Sequence, residues 1–405
     1  MTVKLFENDS LLKECTAEVT ACTAKGGKYF VELDQTVFYP EGGGQLSDQG
    51  KIAGAAVSHV SEKDGHIYHE CDQPLAVGSR VAAVIDWKIR LDRMQQHAGE
   101  HLLSYACWKL FQAYNVGFHM NEESVFIDLD KELAAEELLQ AELYTNELIW
   151  ENRPIHISYM DSREAAALKD KMRKFNDAIT GTLRIVTVEN ADICTCCGTH
   201  PPFTGMIGSV KIIRHERHKG GCRIEFVCGR RALKDADLKN STLLEVADIL
   251  SVKPEQVPDA MTKQYNDCMA ELSQAKNRLL AIAEKKLQAV YESTPEDTTG
   301  SKIIVLALEE YDAKDIKNLT KTAAALKGAI SILLAVQPER VSYAVVKGTE
   351  TAGDCRRIIK ELNAVFHGRG GGREDCAQGG ADFCQDWQEK LAAVLKTISS
   401  DGASA

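Results

Sequence analysis

Two short motifs in this chain carry side chains that bind metal ions. The first is the pair His97 and His101, and the second is the pair Cys196 and His200. On a helix, residues four apart share one face, so His97 and His101 can reach the same ion. The turn between Cys196 and His200 is tight enough to bring a thiolate and an imidazole together. Three imidazoles and one thiolate form a tetrahedral donor set, so the sequence predicts one Zn²⁺ per chain.

The thiolate ligand is less well determined than the imidazoles, because three cysteines lie close together. Cys194, Cys196 and Cys197 all precede His200. We favour Cys196 because it has the four-residue offset to His200. Cys194 and Cys197 form a Cys-x-x-Cys pair, which is also typical of a redox centre or of a different zinc site.

The elements that must position these residues are predicted from hydrophobic periodicity, and the overall fold class is α+β. Alternating runs and glycine turns predict a small β-barrel over residues 1–88. Mixed patterns over 89–235 predict an α+β domain that contains both metal-binding motifs. A helical linker follows over 236–292, with a spacing that fits either a coiled-coil contact or an amphipathic helix packed on its own domain. Alternating strand and helix patterns over residues 300–405 predict a separate α/β domain.

Composition and charge restrict the location and the partners. The chain has 405 residues, 44% hydrophobic and 26% charged, which is typical of a soluble globular protein. No secretory signal is visible, and the most apolar stretch, Ala329 to Val336, is too short to span a bilayer. We therefore expect a cytoplasmic protein with no membrane partner and with its 13 cysteines reduced. The net charge of −11 disfavours broad adhesion to nucleic acid but allows a local basic face, as in residues 211–234.

The sequence around the two motifs resembles the editing domain of alanyl-tRNA synthetase. The resemblance rests on His97-x-x-x-His101 and on Cys196-x-Gly198-Thr199-His200, followed by Thr204-Gly205-x-Ile207-Gly208. Upstream, residues 38–50 are similar to the glycine-rich segment of the barrel that precedes that domain. Downstream, residues 370–380 resemble the glycine-rich end of the DHH-associated domain at the synthetase C-terminus. The residues before His97 leave no room for a synthetase core, so the chain is identified as a member of the AlaX family of freestanding editing proteins, in its long form.

Membership of this family implies a zinc-dependent hydrolase that deacylates mischarged tRNA(Ala) in trans and without ATP. Seryl-tRNA(Ala) is the main expected substrate, and glycyl-tRNA(Ala) is the other contender. A synthetic pocket for alanine rejects an extra hydroxyl poorly, which calls for a second site that accepts serine. The candidate pocket residues are Glu122 and Thr199, although Glu122 also fits a polar turn before a strand. The resemblance assigns no catalytic residue beyond the zinc centre.

Two glycine-rich segments are the predicted tRNA contacts. They contribute Gly42, Gly43, Gly44 and Gln45 upstream, and Arg369, Arg373 and Gln378 near the C-terminus. We expect residues 367–380 to form a loop whose glycines expose backbone N–H groups beside two arginines. By resemblance this loop binds the tRNA elbow or supports a homodimer through the C-terminal region. A structural glycine turn is the simpler alternative.

Two other functions fit parts of the sequence. A non-catalytic module with a structural zinc ion would bind tRNA(Ala) and leave its ester intact. A thiol-redox or zinc-sensing protein would use Cys194, Cys196 and Cys197 and would have no affinity for tRNA. The glycine-rich motifs on either side disfavour the redox alternative.

Overall fold

The structure is a computed structural model and describes residues 1–167, 169, 172–173, 181–297, 300–309 and 311–401. The chain divides into two compact units, Met1–Glu245 and Val246–Ala405. Within the described ranges, no helix is both long and apolar enough to cross a membrane. Both metal-binding motifs belong to the first unit.

The first unit begins with a closed barrel of antiparallel strands. Its elements are β1 (Val3–Lys4), α1 (Leu5–Asn8), β2 (Glu14–Lys25), β3 (Lys28–Leu33), β4 (Gln35–Thr36), β5 (Gly50–Ile52), β6 (Ala55–Lys63), β7 (His66–Cys71) and β8 (Arg80–Ile85). The ring closes in the order β2-β3-β7-β6-β5-β8, and β1 pairs with β4 outside it. Buried apolar side chains such as Val31, Ile52 and Ile67 fill the interior. The barrel is therefore a packed support for the glycine-rich segment between β4 and β5.

One buried histidine makes the barrel sensitive to acid. His69 in β7 is fully buried, with Nε2 2.8 Å from the Thr36 hydroxyl and Nδ1 2.9 Å from the carbonyl oxygen of Val31. Burial disfavours the charged ring and lowers the pKa of His69 from 6.5 to about 4. The unfolded chain binds this proton more readily than the folded chain does. The free energy of unfolding therefore falls as the pH drops from about 6.5 to about 4.

We expect His69 alone to remove up to about 3 kcal/mol of unfolding free energy across that range. A His69→Gln variant should lose this part of the pH dependence, because its side chain does not titrate there. Denaturant unfolding at several pH values between about 7 and about 4 measures the slope. Thr36→Val keeps the buried His69 and removes only the hydroxyl beside its Nε2 atom, so this control should retain a pH dependence of the same sign. Identical slopes in all three proteins would contradict the prediction.

The rest of the first unit packs helices against two sheets. Its elements are α2 (Trp87–Phe111), β9 (Asn115–Met120), β10 (Val125–Leu129), α3 (Ala135–Trp150), β11 (Ile155–Asp161), α4 (Ser162–Ala166), β12 (Thr182–Val188), β13 (Ile193–Thr195), β14 (Val210–His218), β15 (Gly221–Cys228) and α5 (Gly229–Leu250). The sheets have the strand orders β14-β15-β10-β9 and β11-β12-β13. Helix α2 begins after Asp86, whose carboxylate accepts hydrogen bonds from the backbone N–H groups of Lys88 and Ile89. From Met94 to Cys107 the helix is buried almost throughout, so it is a fixed support for both histidines.

The second unit contains a long helix and a mixed sheet. Its elements are α6 (Val257–Ser293), β16 (Lys302–Leu308), α7 (Ala313–Ala324), β17 (Ala329–Val336), β18 (Arg340–Lys347), α8 (Cys355–Phe366), β19 (Arg369–Gly372), β20 (Cys376–Asp382) and α9 (Trp387–Asp401). The strand order is β16-β17-β18-β20-β19, with β16 and β17 parallel and the other pairs antiparallel. Separate apolar cores lie on the two faces of the sheet, against α6 and α7 on one side and against α8 and α9 on the other. The mixed α+β class predicted for the chain is confirmed.

The prediction of a loop over residues 367–380 is wrong, because most of this segment forms the hairpin of β19 and β20. Gly370 stands opposite Gly379, and β20 also pairs with β18. A Cβ on Gly379 would lie 2.5 Å from the Tyr343 ring, so a close approach to the ring requires glycine here. The glycines therefore serve the packing of an edge hairpin, and their number had suggested an irregular loop.

Candidate metal centre and its cavity

The structure brings the four predicted ligand side chains together. His97 and His101 project from one face of α2, while Cys196 and His200 lie in the segment after β13. One ligand atom from each of the four lies within 4.8 Å of all the others. The Cys196 Sγ is 3.0 Å from the His97 Nε2 and 3.4 Å from the His200 Nε2.

The donor atoms and their surroundings fit a zinc ion. His97 faces the cluster through Nε2, which lies 3.0 Å from the Cys196 Sγ, while its buried Nδ1 atom has no hydrogen-bond partner among the described residues. A Cβ on Gly198 would collide with the His97 Nε2, so the turn between Cys196 and His200 approaches the ring only because it carries glycine. Three imidazoles and one thiolate are a donor set that zinc favours.

The protonation of the three neighbouring thiols separates Cys196 from the other two. Burial would raise the pKa of Cys196, but the imidazoles of His97, His101 and His200 outweigh it and hold this pKa well below its usual range. Burial instead raises the pKa of Cys194 to about 11, although His101 opposes the shift. Cys197 is exposed and lies outside the four-residue cluster. The thiolate character needed for a metal ligand is therefore concentrated at Cys196.

A second layer of charged groups orients His101. Its Nδ1 lies 3.3 Å from the Asp192 Oδ2 and 3.0 Å from the Cys194 Sγ, which leaves Nε2 for the cluster. Arg173 donates two hydrogen bonds of 2.9 Å to Asp192. Burial would raise the pKa of Asp192, but Arg173 and His101 outweigh it and hold this pKa well below its usual range. A carboxylate behind a ligating histidine fixes the ring and raises its basicity. Nothing in the sequence motifs singled out Asp192 or Arg173.

An Asp192→Asn variant is expected to bind zinc about 10- to 100-fold more weakly, because His101 loses its charged support. Competition with a chromophoric chelator measures the affinity. Asp128→Asn is the matched control, since Arg223 also holds that carboxylate with two hydrogen bonds, and Asp128 belongs neither to the cluster nor to the cavity lining. A zinc affinity that is equal in wild type and Asp192→Asn would show that this carboxylate does not support the metal centre.

The upstream glycine-rich segment lies beside the metal centre. Gly43 lines the cavity that also contains the ligands, and a Cβ on Gly44 would lie 2.5 Å from the Phe118 ring. Gln45 was predicted to contact nucleic acid, but it is fully buried. Its Nε2 donates to the Thr199 hydroxyl at 2.8 Å, and its Oε1 accepts from the Thr199 N–H at 3.0 Å. Gln45 therefore holds the ligand-bearing turn in place, and that part of the prediction is corrected.

A buried ion pair anchors the same segment to α2. Arg90 donates through Nε to both carboxylate oxygens of Asp48, at 2.9 and 3.0 Å, and both side chains are almost fully buried. The guanidinium also donates to the carbonyl oxygens of Ser10 and Val37. The Asp48 carboxylate accepts a further bond from the Tyr39 N–H at 2.6 Å. Asp48 stood in the glycine-rich motif, whereas nothing in the sequence pointed to Arg90 as its partner.

The metal centre opens into a cavity of about 480 Å³. Phe118, Tyr159 and Arg184 line it together with three of the ligand residues, His97, His101 and Cys196. The Nη1 atom of Arg184 donates to the carbonyl oxygens of Cys196 and Gly198, at 2.7 and 2.9 Å. Arg184 thus holds the turn that carries the thiolate.

Neither of the predicted pocket residues lines this cavity. Thr199 is 1% exposed, and its hydroxyl and N–H both bond to Gln45. Glu122 lies in the turn between β9 and β10 and borders other cavities. Arg231 donates through Nη1 to the carbonyl oxygen of Asn121 at 3.1 Å, which holds this turn beside the start of α5. Thr199 therefore contributes to the site by fixing the turn from Cys196 to His200 through its bonds to Gln45. Glu122 borders other cavities and does not line the one at the metal centre.

The predicted tRNA contacts of the second unit are exposed. Arg369, Arg373 and Gln378 all lie on the hairpin of β19 and β20 or in its turn. Gln378 stands opposite Gly371, and Arg369 stands opposite Gly380, which places their side chains on one face of the hairpin. The Arg373 guanidinium also pairs with Asp375 at 3.2 Å.

Known proteins match both parts of the first unit. Residues 9–89 match the family described as tRNA synthetases class II (A), and residues 183–225 match the threonyl and alanyl tRNA synthetase second additional domain. The alanyl-tRNA editing protein AlaX-L of Pyrococcus horikoshii is 29% identical over 94% of this chain and 94% of that protein. The chain therefore resembles an AlaX-family protein along nearly the whole length of both chains. The resemblance inferred from the motifs is thereby confirmed.

Alanine–tRNA ligases are similar to this chain as well. The alanine–tRNA ligase of Methanobrevibacter smithii is 30% identical over 97% of this chain, which corresponds to 45% of the ligase. That of Pyrococcus abyssi is 27% identical over 98% of this chain, which corresponds to 44% of the ligase. The chain spans less than half the length of these ligases.

Proposed function

We propose that this protein is a zinc-dependent hydrolase that deacylates mischarged tRNA(Ala), with seryl-tRNA(Ala) as its main substrate. The observation that carries the proposal is the cluster of His97, His101, Cys196 and His200, three of which line a cavity of about 480 Å³. The AlaX-L relative is named as an alanyl-tRNA editing protein, which supports the same reaction class. We further propose one zinc ion per chain, a cytoplasmic location and a reaction that needs no ATP.

The reaction is the cleavage of one ester bond by water. Water attacks the aminoacyl carbonyl carbon, the bond to the ribose oxygen breaks, and the free amino acid and the ribose hydroxyl of the tRNA are released. His97, His101, Cys196 and His200 would hold the zinc ion, which polarises the ester or orients water when bound. Other side chains of the protein position these ligands. Arg184 and Gln45 hold the turn from Cys196 to His200, and Asp192 holds His101. Phe118 and Tyr159 provide cavity walls for the aminoacyl end.

Comparison of three substrates tests this proposal. We expect the purified protein to release serine from seryl-tRNA(Ala) fastest, glycine from glycyl-tRNA(Ala) more slowly, and alanine from alanyl-tRNA(Ala) slowest. A His97→Ala/His101→Ala variant should bind tRNA(Ala) and release none of the three amino acids at an appreciable rate. The proposal fails if no amino acid is released, or if wild type and variant release it equally.

A non-catalytic tRNA-binding module is the second candidate function. One observation favours it: four protein side chains already supply a complete tetrahedral set, which is typical of structural zinc. In that case the wild-type protein would bind tRNA(Ala) and leave the ester intact. The substrate comparison therefore separates the two functions.

We propose that the second unit supplies tRNA affinity or dimer contacts to either function. Arg369, Arg373 and Gln378 are the proposed contacts, since they are exposed on one hairpin. The predicted segments 1–88, 89–235, 236–292 and 300–405 are proposed as the functional divisions of the chain.

A further inference from the structure

Arg93 in α2 is a buried cation with an incomplete set of partners. Only 6% of this residue is exposed, and its Nη1 atom has no hydrogen-bond partner in the described part of the chain. Arg90, about one turn earlier, gives the contrast, because Asp48 and two backbone carbonyls surround its guanidinium. A buried charge that lacks partners is strongly unfavourable. The carboxylates of Asp48, Glu122 and Asp92 interact with the charge of Arg93, but none of them bonds to its Nη1 atom, which leaves this donor for water, an ion or a ligand.

Arg93 lines a groove of about 730 Å³ between α2 and the start of α5, which we call the α2–α5 groove. The same side chain borders an adjoining cavity of about 290 Å³. Three carboxylates of the groove are neutralised by basic partners: Asp92 by Arg231 at 2.6 Å, Asp235 by Lys239 at 2.7 Å and Glu225 by Arg214 at 2.5 Å. These ion pairs leave the other cations of the groove available to a ligand.

Most of the charged groove residues that form no ion pair are positive. Among the described residues, no ion pair involves the four cations Lys88, Arg93, Arg230 and Lys234 or the two carboxylates Glu122 and Glu123. The two glutamates are exposed, in the turn after β9, whereas Arg93 is buried. The excess of unpaired cations over unpaired carboxylates in the groove lining therefore favours an anion.

The N-terminus of α5 adds a second, independent feature of an anion site. This helix begins at Gly229 and runs for 22 residues, and Arg230 and Arg231 in its first turn line the groove. The N–H groups of Gly229 and Arg230 already donate to the Ser209 carbonyl oxygen and to the Gln95 Oε1, whereas the helix dipole favours negative charge at this end. A helix N-terminus beside an incompletely bonded arginine is a suitable setting for a tetrahedral oxyanion.

We propose that the α2–α5 groove binds a phosphate group, with Arg93 as its buried ligand. A guanidinium presents N–H groups in a planar fork that matches the oxygens of a phosphate. Lys88, Arg230 and Lys234 would add charge from the rim. The site shares no lining residue with the metal cavity and does not depend on ester hydrolysis. The phosphate group is either a backbone phosphate of an RNA strand or a free phosphate.

Thermal unfolding in sodium phosphate tests the site itself. At constant ionic strength, the wild-type Tm should rise when phosphate replaces chloride, because phosphate binds the folded chain. Arg93→Met should abolish this rise and should unfold in chloride at a Tm equal to or above that of wild type, since it removes an incompletely paired buried charge. The exposed Arg217, outside the groove, gives the control Arg217→Met, which should keep the rise. Glu122→Gln should enlarge it by removing a nearby negative charge.

Binding of uncharged tRNA(Ala) then identifies the source of the phosphate. If the site holds an RNA backbone phosphate, Arg93→Met should weaken tRNA binding about tenfold at low salt and lower the slope of log K against log salt by about 1. Unchanged tRNA binding together with the loss of the phosphate response assigns the site to free phosphate. The proposal is overturned if wild-type Tm is the same in phosphate and chloride, or if Arg93→Met retains the full response. Neither result depends on whether the protein deacylates tRNA.

Discussion

A Cys196→Ala variant is expected to lose its zinc ion and to deacylate seryl-tRNA(Ala) at least about 100-fold more slowly than wild type. The reason is the position of its sulfur, which lies 3.0 Å from the His97 Nε2 and 3.4 Å from the His200 Nε2. The three imidazoles favour its thiolate form, and the thiolate is the form that binds metal. Loss of a residue that hydrogen-bonds to a metal ligand typically lowers metal affinity or activity 10- to 100-fold. Loss of the ligand itself should lower both by more.

The neighbouring cysteines are the matched controls for this variant. Cys197→Ala should keep one zinc ion per chain, because Cys197 is outside the cluster, although it lines the same cavity. The zinc content and deacylation rate of Cys194→Ala should lie between those of Cys196→Ala and Cys197→Ala. The reason is that the Cys194 Sγ lies 3.0 Å from the Nδ1 of the ligand His101. Metal content by elemental analysis and serine release are the measurements. Retention of zinc by Cys196→Ala and its loss from Cys197→Ala would reverse the assignment of the thiolate.

Local spacing was enough to predict the ligand cluster. His97 and His101 share a face because helix geometry fixes residues four apart, and the turn from Cys196 to His200 is equally local. The contacts that hold these pairs were not predictable in the same way. Arg90 meets Asp48 across 42 residues, and Gln45 meets Thr199 across 154. No periodicity in the chain encodes partners at such separations.

The prediction that Glu122 lines the pocket at the metal centre failed for a related reason. The sequence placed a polar turn between β9 and β10, and the structure has it there. The direction of the turn depends on the pairing of β10 with both β9 and β15, and on the bond from Arg231 to the Asn121 carbonyl. These tertiary contacts carry the turn to the α2–α5 groove. A local pattern predicts that a turn exists, but only the packed sheet determines which cavity it borders.

The C-terminal hairpin shows that tertiary contacts can also override a secondary-structure prediction made from local sequence. Glycine is uncommon inside strands, so a segment with six glycines between positions 368 and 380 indicates a loop. In the structure the Tyr343 ring occupies the space beside Gly379, and glycine is required at that strand position. By contrast, the strands from Lys302 to Leu308 and from Arg340 to Lys347 have apolar patterns typical of a buried sheet, which a local pattern can reveal.

The largest loss of stability is expected from Asp48→Ala, which should lower the free energy of unfolding by about 3–5 kcal/mol. The variant leaves the Arg90 guanidinium buried without its counter-ion, because Arg90 is 0% exposed. The two remaining carbonyl partners, those of Ser10 and Val37, satisfy hydrogen bonds but carry no full charge. The glycine-rich segment should then detach from α2 and loosen the hold of Gln45 on Thr199. Zinc affinity is therefore expected to fall together with stability.

A double variant separates the charge from the packing. Asp48→Leu/Arg90→Met removes both charges and fills similar volume, so it should unfold at a free energy much closer to wild type than Asp48→Ala does. Glu132→Ala, which breaks the exposed pair with Arg217, should change stability far less than Asp48→Ala. Denaturant unfolding of the three variants gives the free energies. If Asp48→Ala were as stable as Glu132→Ala, water would have to reach Arg90, and the segment would not be anchored through this ion pair.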